Sequence, residues 1–427
     1  FNLKVIGSRD IGKQKVYDIT VPKYESFVAN GLVVHNCWFE SGCVPFGQIH
    51  YPFENDKFFD DKEFLCDFIC EAMDQTRGWF YTLMVLSTAL LDKPAFKHCI
   101  CSGLILADDG KKFSKRLGNF IPPMEVCDEY GTDALRLYLS GSPAAHAEAF
   151  QFNKEHLKEI NGKYFQWFNG LKFLIEHTIK YQKDGFVFDV NACKTSNNIM
   201  DCWILSRVRT MLVNIELHMN NYTFYKVKSE ILDFIEDLTN WYIKFNRNRL
   251  RGRYCDNIEQ NQALSTLFHV MLAFSKIAAP FIPFITETIY QKLKILLPGN
   301  EHYESIHLCQ YPLVDEFPTN PDVERRMKQL QTVVGIVRAL RTKRNSSTSA
   351  KVPIKSITIV NDNQQFLDDI KMLENYLCDE VNVMNVVYET SCGTINYKLE
   401  PNNKEIGIKY RSLGNAIKNQ LIEMTQD

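Results

Sequence analysis

Long amphipathic stretches dominate the middle of the chain. Between about residues 151 and 320, apolar residues recur at three- and four-residue spacing in WILSRVRTMLVNIELHM, FYKVKSEILDFIEDLTNWYIKF and LSTLFHVMLAFSKIAAPFIPFITETIYQKL. Amphipathic helices in series predict an all-α helical bundle. Residues 322–343 predict a further charged helix, which the polar run NSSTSA ends.

The pattern changes towards both ends of the chain. Residues 1–36 predict short strands, because KVYDITV and ESFVANGLVV alternate or run apolar around an Asn30-Gly31 turn. Residues 37–150 mix helix and strand patterns, which predicts an α/β domain. The tail from 353 to 427 has strand-like runs (IKSITIV, NVVYET, INYKL) and a helix near 364–377, so residues 321–427 predict a helix followed by a small α+β region.

Composition narrows the class of protein. The chain has 427 residues, 45% of them hydrophobic, and a net charge of −2, so contact with nucleic acid would require local basic patches. No apolar run is long enough for a membrane helix, and we expect no membrane or DNA partner. Thirteen cysteines without a C-x-x-C pair predict a reducing, cytoplasmic setting and no structural zinc. Because the chain begins without Met, we expect a fragment or a processed product.

One junction carries the parts for cutting and rejoining a chain. The Asn36 side chain can attack its own backbone carbonyl and cleave the following peptide bond, and His35 can move the proton. Cys37 is a thiol nucleophile suited to acyl transfer. The alternative is an ordinary β-hairpin. The order and spacing of KVYDITVPKYESFVANGLVVHNC resemble the C-terminal blocks of an intein, although Glu25 stands where many inteins have His.

The segment EAMDQTRGWF carries a second candidate site. If its start is helical, Glu71, Asp74 and Gln75 lie on one face and can bind an amine and ribose hydroxyls. Trp79 can wall an apolar pocket, and Trp38 opens the earlier motif CWFESG. The alternative is a solvated acidic face beside core aromatic residues.

A lysine-rich loop follows an apolar strand in GLILADDGKKFSKRLGN. Lys112 and Lys115, with Ser114 between them, can neutralise charge on ATP phosphates as pyrophosphate departs. The alternative is a basic surface loop. In the helical region, NWYIKFNRNRLRGR interleaves aromatic residues with Arg247, Arg249 and Arg251, which suits RNA phosphates and unstacked bases. The alternative there is a core helix with a basic flank.

Taken in order, these motifs resemble class I aminoacyl-tRNA synthetases of the isoleucine, valine and leucine group. The longer text CWFESG…PFGQIHYPFEN…DQTRGWFYTLMVLSTAL resembles the isoleucyl enzymes of eukaryotic cytosolic type, from Cys37 nearly to the C-terminus. The resemblance implies a partial Rossmann-like catalytic core over residues 37–150. It implies a helical anticodon-binding domain over residues 151–320.

Residue roles follow from the resemblance position by position. Residues 112–116 match the KMSKS loop, with Phe113 in place of Met and Arg116 in place of the last Ser, and Lys115 matches the phosphate-binding lysine. Glu71 matches the residue that holds the aminoacyl-adenylate, with Asp74 and Gln75 in the same motif. Trp38 borders that pocket.

The resemblance implies an isoleucine–tRNA ligase reaction with isoleucine, tRNA(Ile) and ATP, and Mg²⁺ as the counter-ion of ATP. The family's HIGH motif and editing domain would lie upstream of this sequence, so we expect no aminoacylation until the chain is joined to an upstream half of the synthetase and of the intein. Two alternatives from other classes stay open. The chain is a tRNA-binding fragment, or a self-processing protein whose own chemistry is cyclisation of Asn36.

Overall fold

A computed structural model describes residues 26–29, 32–35, 38–108, 110–113, 116, 118–297, 299, 302–344, 352–391, 413 and 417. The predicted strands KVYDITV and INYKL lie outside these ranges. Contacts divide the chain into two units. The first comprises Phe1–Leu171, Met211–Glu236 and Phe274–Tyr311, and the second comprises Lys172–Thr210, Asp237–Ala273 and Pro312–Asp427. The domain boundaries at residues 36, 150 and 320 stay predictions.

The first described elements are two short strands. Strand β1 (Ser26–Ala29) pairs antiparallel with β2 (Leu32–His35), so that Ser26 lies opposite His35. Asn30 and Gly31, which stand between the two strands in the sequence, lie outside the described residues.

A helix and a βαβ arrangement follow the hairpin. Helix α1 spans Trp38–Gly47, strand β3 spans Cys66–Ala72, helix α2 spans Trp79–Leu91 and strand β4 spans Phe96–Ser102. Because α2 crosses over between them, β3 and β4 run parallel. Their shared core consists of buried apolar side chains: Phe46, Phe59, Leu65, Ile69, Phe80, Leu83, Leu86 and Ala95. This part has the α/β character that the sequence predicts.

A second parallel strand pair supports the segment that carries the lysines. Strand β5 (Ile105–Leu106) pairs with β6 (Phe150–Gln151). Helices α3 (Pro123–Tyr130) and α4 (Thr132–Ser140) lie between them in sequence. The chain therefore returns to β5 only after two helices.

The predicted helical region is helical over most of its length. It contains α5 (Lys154–Lys183), α6 (Ile199–Asn220), α7 (Val227–Glu236), α8 (Arg247–Leu250), α9 (Asn257–Ala278) and α10 (Pro283–Leu293). A π-helical segment, Asp237–Ile243, continues α7. The pattern over 264–293 is two helices, because Pro280 and Pro283 lack the N–H groups that would continue α9. Within the described residues, no helix is long and apolar enough to span a bilayer.

The C-terminal region begins with α11 (Pro321–Arg344), which confirms the predicted charged helix. Strand β7 (Ile357–Val360) then pairs parallel with β8 (Val386–Glu389). The helix predicted near 364–377 is instead two helices, α12 (Gln364–Lys371) and α13 (Glu374–Val381). The two-strand, two-helix arrangement agrees with the predicted α+β region.

Candidate functional site

The carboxyl ends of β3 and β4 form the frame of the first candidate site. Because the strands are parallel, Glu71 lies opposite Cys101 and Ala72 lies opposite Ser102 at the same edge. In open α/β sheets, ligands bind just beyond this edge. The chain leaves β3 there as a 3₁₀ helix, Met73–Arg77, which leads directly into α2.

Glu71, Asp74 and Gln75 do not share a helical face, contrary to our conditional interpretation. Glu71 ends strand β3, while Asp74 and Gln75 belong to the 3₁₀ helix. The reason is that the pattern of a short segment such as LCDFICEA is compatible with a strand as well as with a helix. The three residues nevertheless stay together at the strand's carboxyl end, and the Glu71 and Asp74 side chains are exposed.

Gln75 has a positioning role within this motif. It is 8% exposed, and its Oε1 accepts a hydrogen bond from the backbone N–H of Trp79 at 3.0 Å. Its Nε2 donates to Asp74 Oδ2 at 3.3 Å. Gln75 therefore satisfies an N–H group at the start of α2 and orients the Asp74 carboxylate.

The motif CWFESG packs against the same segment. Trp79 Nε1 donates to the carbonyl oxygen of Ser41 at 3.3 Å. A Cβ atom added to Gly42 would lie 2.9 Å from Thr82 Oγ1 and from Leu86 Cδ1, so α1 and α2 approach closely there. Trp38, 51% exposed, lies beside Gly78. The two predicted motifs thus form one wall with the Trp38 and Trp79 rings in it.

The lysine-rich loop is anchored at its beginning. Lys112 forms an antiparallel bridge with Leu106, and the Ala107 N–H donates to the Lys111 carbonyl oxygen at 2.9 Å. The Lys112 side chain is exposed, and Asn119 Nδ2 donates to its carbonyl oxygen at 3.3 Å. Ser114 and Lys115 lie outside the described residues, so their assignment to ATP stays a prediction.

Phe113, the residue after Lys112, packs into a group of aromatic rings. Its ring centroid lies 6.4 Å from that of Phe120 and 6.5 Å from that of Phe152, both edge-on. Phe152 in turn meets Tyr138 of α4 at 5.4 Å. Burial raises the pKa of Tyr138, and its hydroxyl accepts a hydrogen bond from the Asn153 N–H at 2.8 Å. Phe113, at the start of the lysine-rich loop, therefore rests on an aromatic base formed by Phe120, Phe152 and Tyr138.

The three predicted RNA-binding arginines have different surroundings. Arg247 and Arg251 lie over the Phe173 ring, at 6.0 and 5.6 Å from its centroid. Arg249 instead forms an ion pair with Asp201, whose side chain is 0% exposed. Its Nη1 also donates to Asn246 Oδ1 at 2.6 Å. We therefore assign Arg249 to the core of its unit rather than to RNA.

The splice-junction residues are only partly covered. Asn36 and Cys37 lie outside the described residues, and His35 is described only as the end of β2. Among the residues that the structure covers, no group of three His, Cys, Asp or Glu side chains lies close enough to hold a metal ion.

Sequence reasoning missed the side chain that joins α4 to α10. Asp133 is buried, and its Oδ2 accepts a hydrogen bond from the Ile285 N–H at 2.7 Å, near the start of α10. Burial raises the pKa of Asp133, while this N–H opposes the rise. The signal available in the sequence was an acid at the beginning of an otherwise apolar helical stretch, TDALRLYL.

Two family models match the chain. Residues 24–151 match class I tRNA synthetases of the I, L, M and V group, and residues 201–357 match the anticodon-binding domain of tRNA ligases. The first match starts inside residues 1–36, which the splice-junction interpretation assigns to an intein. That interpretation therefore stays a proposal.

Curated relatives match nearly the whole chain. It is 38% identical to a probable cytoplasmic isoleucine–tRNA ligase of Dictyostelium discoideum over 94% of its length, and 41% identical to a cytoplasmic isoleucine–tRNA ligase of Arabidopsis thaliana over 98%. The chain spans only 38% and 35% of those two proteins. The chain is also similar to a structure of Mycobacterium tuberculosis methionyl-tRNA synthetase in complex with methionyl-adenylate. The match covers 65% of this chain and 55% of that structure's chain, at 15% sequence identity and a TM-score of 0.48.

Proposed function

We propose that this chain belongs to the isoleucyl-tRNA synthetase family, and that it supplies the lysine-loop half of an isoleucine–tRNA ligase site together with the tRNA-binding helical domain. The observation that carries the proposal is the group at the carboxyl ends of β3 and β4. There Glu71 lies at the end of β3, Asp74 and Gln75 follow that strand, and the wall that contains Trp38 and Trp79 packs against the same segment. By the names of its relatives, the protein would act in the cytoplasm.

The proposed chemistry has two steps. The isoleucine carboxylate oxygen attacks the α-phosphorus of ATP, a new P–O bond forms, and the bond to the β-phosphate oxygen breaks to release pyrophosphate. A terminal ribose hydroxyl of tRNA(Ile) then takes the acyl group and releases AMP. Mg²⁺ would arrive with ATP and offset the charge of its phosphates.

The residues of this chain would act mainly by holding charged side chains close to the phosphates and to the adenylate. The exposed ammonium group of Lys112, with that of Lys115, would stabilise negative charge on the departing pyrophosphate. The Glu71 carboxylate would accept hydrogen bonds from the isoleucyl-adenylate. Gln75 would keep Asp74 oriented, because it ties that carboxylate to the start of α2.

The test replaces the matched segment of the Arabidopsis relative with this chain and measures isoleucine-dependent exchange of labelled pyrophosphate into ATP. We expect exchange by the chimera, and a fall of about 100- to 1000-fold with Lys112→Ala, the usual effect of losing one charge-stabilising donor. Lys57→Ala, at an exposed lysine elsewhere, is the matched control. A folded chimera that binds tRNA but does not exchange pyrophosphate would leave only the tRNA-binding fragment.

The tRNA part of the proposal has its own test. Arg247 and Arg251 present guanidinium groups beside Phe173, a combination that suits an RNA backbone and its bases. Fluorescence anisotropy of labelled tRNA(Ile) should report binding that weakens as salt rises. Arg247→Ala should reduce that salt dependence, whereas Lys57→Ala should not. The proposal would be contradicted if the affinity for tRNA(Ile) changed neither with salt concentration nor in Arg247→Ala.

We also propose that His35, Asn36 and Cys37 form a protein-splicing junction, with the rest of the intein supplied upstream or as a separate piece. The order His-Asn-Cys, whose His35 is the last residue of a β-hairpin, supports this second activity. Cyclisation of Asn36 would break the bond to Cys37 and leave a C-terminal succinimide.

Mass spectrometry of the purified chain tests the junction. The proposal predicts a product that begins at Cys37 and that disappears in Asn36→Ala but persists in Asn30→Ala, a matched asparagine in the same segment. If the chain stays intact even when it is incubated with a complementary intein fragment, the proposed splice junction is wrong.

A further inference from the structure

We infer that Tyr254 is a stacking platform for an unpaired base of the bound RNA. The inference rests on the proposed tRNA-binding function and names one contact within it. At 95% exposure, the Tyr254 side chain is the most exposed of the large apolar or aromatic side chains among the described residues. Proteins bind single-stranded RNA by stacking its bases on accessible aromatic rings that lie near guanidinium groups.

The backbone holds Tyr254 in an uncommon conformation. Its φ is +60°, in the left-handed region that bulky residues rarely adopt. Glycine or asparagine would fit this position without the steric cost of a tyrosine side chain. An exposed aromatic residue kept at such a position points to a role for the ring outside the folded core.

The turn that carries Tyr254 is fixed on both sides. Before it, the Arg253 N–H donates to the Asn248 carbonyl oxygen at 2.8 Å, and a Cβ on Gly252 would lie 2.5 Å from Gln260 Oε1. After it, Asp256 Oδ1 accepts from the Glu259 N–H at 2.8 Å and caps α9. The ring therefore projects from a defined turn.

The same turn lies against the second half of α5. Arg251 packs over Phe173, and the Tyr181 hydroxyl donates to the Asn257 carbonyl oxygen at 3.1 Å, so both flanks of Tyr254 contact this helix. In the sequence, Arg251 and Arg253 precede Tyr254, and the carboxylates Asp256 and Glu259 follow it. Asp256 is engaged by the Glu259 N–H at the N-terminus of α9, and the guanidinium groups of Arg247 and Arg251 beside Phe173 can bind RNA phosphates.

The experiment uses an RNA stem–loop with the anticodon arm sequence of tRNA(Ile) and 2-aminopurine in the loop, titrated with the full chain. Stacking on Tyr254 should quench the 2-aminopurine fluorescence. Tyr254→Ala should weaken binding by roughly 5- to 150-fold, the range for loss of one base–aromatic stack, without changing the salt dependence. Tyr254→Phe should retain binding and quenching. Phe53→Ala, at an aromatic residue that is 83% exposed elsewhere, is the matched control.

Two failures can be told apart. If the unaltered chain does not bind the stem–loop or tRNA(Ile), the proposed tRNA function fails and the inference fails with it. If the chain binds but Tyr254→Ala binds equally well, the function stands and the inference is overturned, which leaves Tyr254 for a protein partner. Equal melting temperatures of Tyr254→Ala and Tyr254→Phe show that lost binding is not lost folding.

Discussion

Arg249 donates to both carboxylate oxygens of Asp201, with Nη1 3.2 Å from Oδ1 and Nη2 3.0 Å from Oδ2. The Asp201 side chain is fully buried, and the Tyr242 hydroxyl adds a third donor at 2.8 Å. Burial, and the negative charge of Asp201, raise the pKa of Tyr242, so its proton stays in place to make this bond. A basic motif that suggests RNA binding thus contributes one arginine to the interior.

Arg249→Ala should destabilise the chain by about 3–5 kcal/mol, because it leaves the Asp201 carboxylate buried without its counter-charge. The measurement is the urea midpoint of unfolding by circular dichroism. Arg253→Ala, at an exposed arginine four positions later, should change stability by less than about 0.5 kcal/mol. Equal midpoints for the two variants would place Arg249 outside the core.

Asp369 should give the chain a measurable acid sensitivity. Its carboxylate is 1% exposed and accepts from Arg325 Nε at 2.8 Å and Arg326 Nε at 3.1 Å. The Arg325 hydrogen bond is the main cause that lowers the pKa of Asp369 to about 2. Since the folded state favours the ionised form, this stabilisation is complete above about pH 4, the ordinary aspartate range, and is lost as the pH falls towards 2.

Asp369→Asn should therefore cost about 1.5–3 kcal/mol at pH 7, the usual contribution of hydrogen bonds to a charged group. Its difference from the unaltered chain should shrink as the pH falls from 4 to 2. Asp368→Asn, at the exposed neighbouring carboxylate, is the control and should show neither effect. A pH-independent difference would mean that the charge of Asp369 does not stabilise the fold.

Periodicity predicted the helices well because it reports burial of one face. Helices α6 and α11 fall where the three- and four-residue spacing placed them. The same reasoning could not assign Glu71 to β3, since a short segment of mixed apolar and acidic residues such as LCDFICEA fits either a strand or a helix. It also joined α9 to α10, because the apolar pattern continues through the prolines that separate them.

The side-chain pairings could not be predicted from the sequence. Asp201 and Arg249 are 48 residues apart, and only the fold brings them together. The available sign was an aspartate within the apolar run IMDCWIL. In the segment EAMDQTRGWF, the sequence predicted one helical face for Glu71, Asp74 and Gln75, and it could not show that Gln75 accepts a hydrogen bond at the start of α2.

Gly42→Ala should weaken the contact between α1 and α2. The new Cβ would meet Thr82 and Leu86 at 2.9 Å, so one helix must shift, at about 1–3 kcal/mol for overpacking. Gly47→Ala, at the exposed end of the same helix, has no atom within 4 Å of its Cβ and should be neutral or stabilise by up to about 1 kcal/mol. The measurement is the thermal unfolding temperature of both variants. If Gly42→Ala is as stable as the unaltered chain, α1 and α2 can accommodate a Cβ atom at this position.

Phe113 should control the order of the lysine-bearing loop. Phe113→Ala removes the edge-on contacts with Phe120 and Phe152, so the backbone at Lys112 should open more often. Trypsin cleavage after Lys112 should then be faster in Phe113→Ala than in the unaltered chain. Phe113→Met, which restores a large flexible apolar side chain, should recover most of the protection.

The same variants show whether the order of the loop also affects ATP binding. In the chimera used for pyrophosphate exchange, Phe113→Ala should raise the KM for ATP, because each binding event must first order a loop that the aromatic base no longer holds. Phe53→Ala, which removes an exposed ring elsewhere, should change neither the cleavage rate nor the KM. If Phe113→Ala is cleaved no faster than the unaltered chain, the aromatic contacts do not restrain the loop, and the position would tolerate Met or Phe for reasons of volume alone.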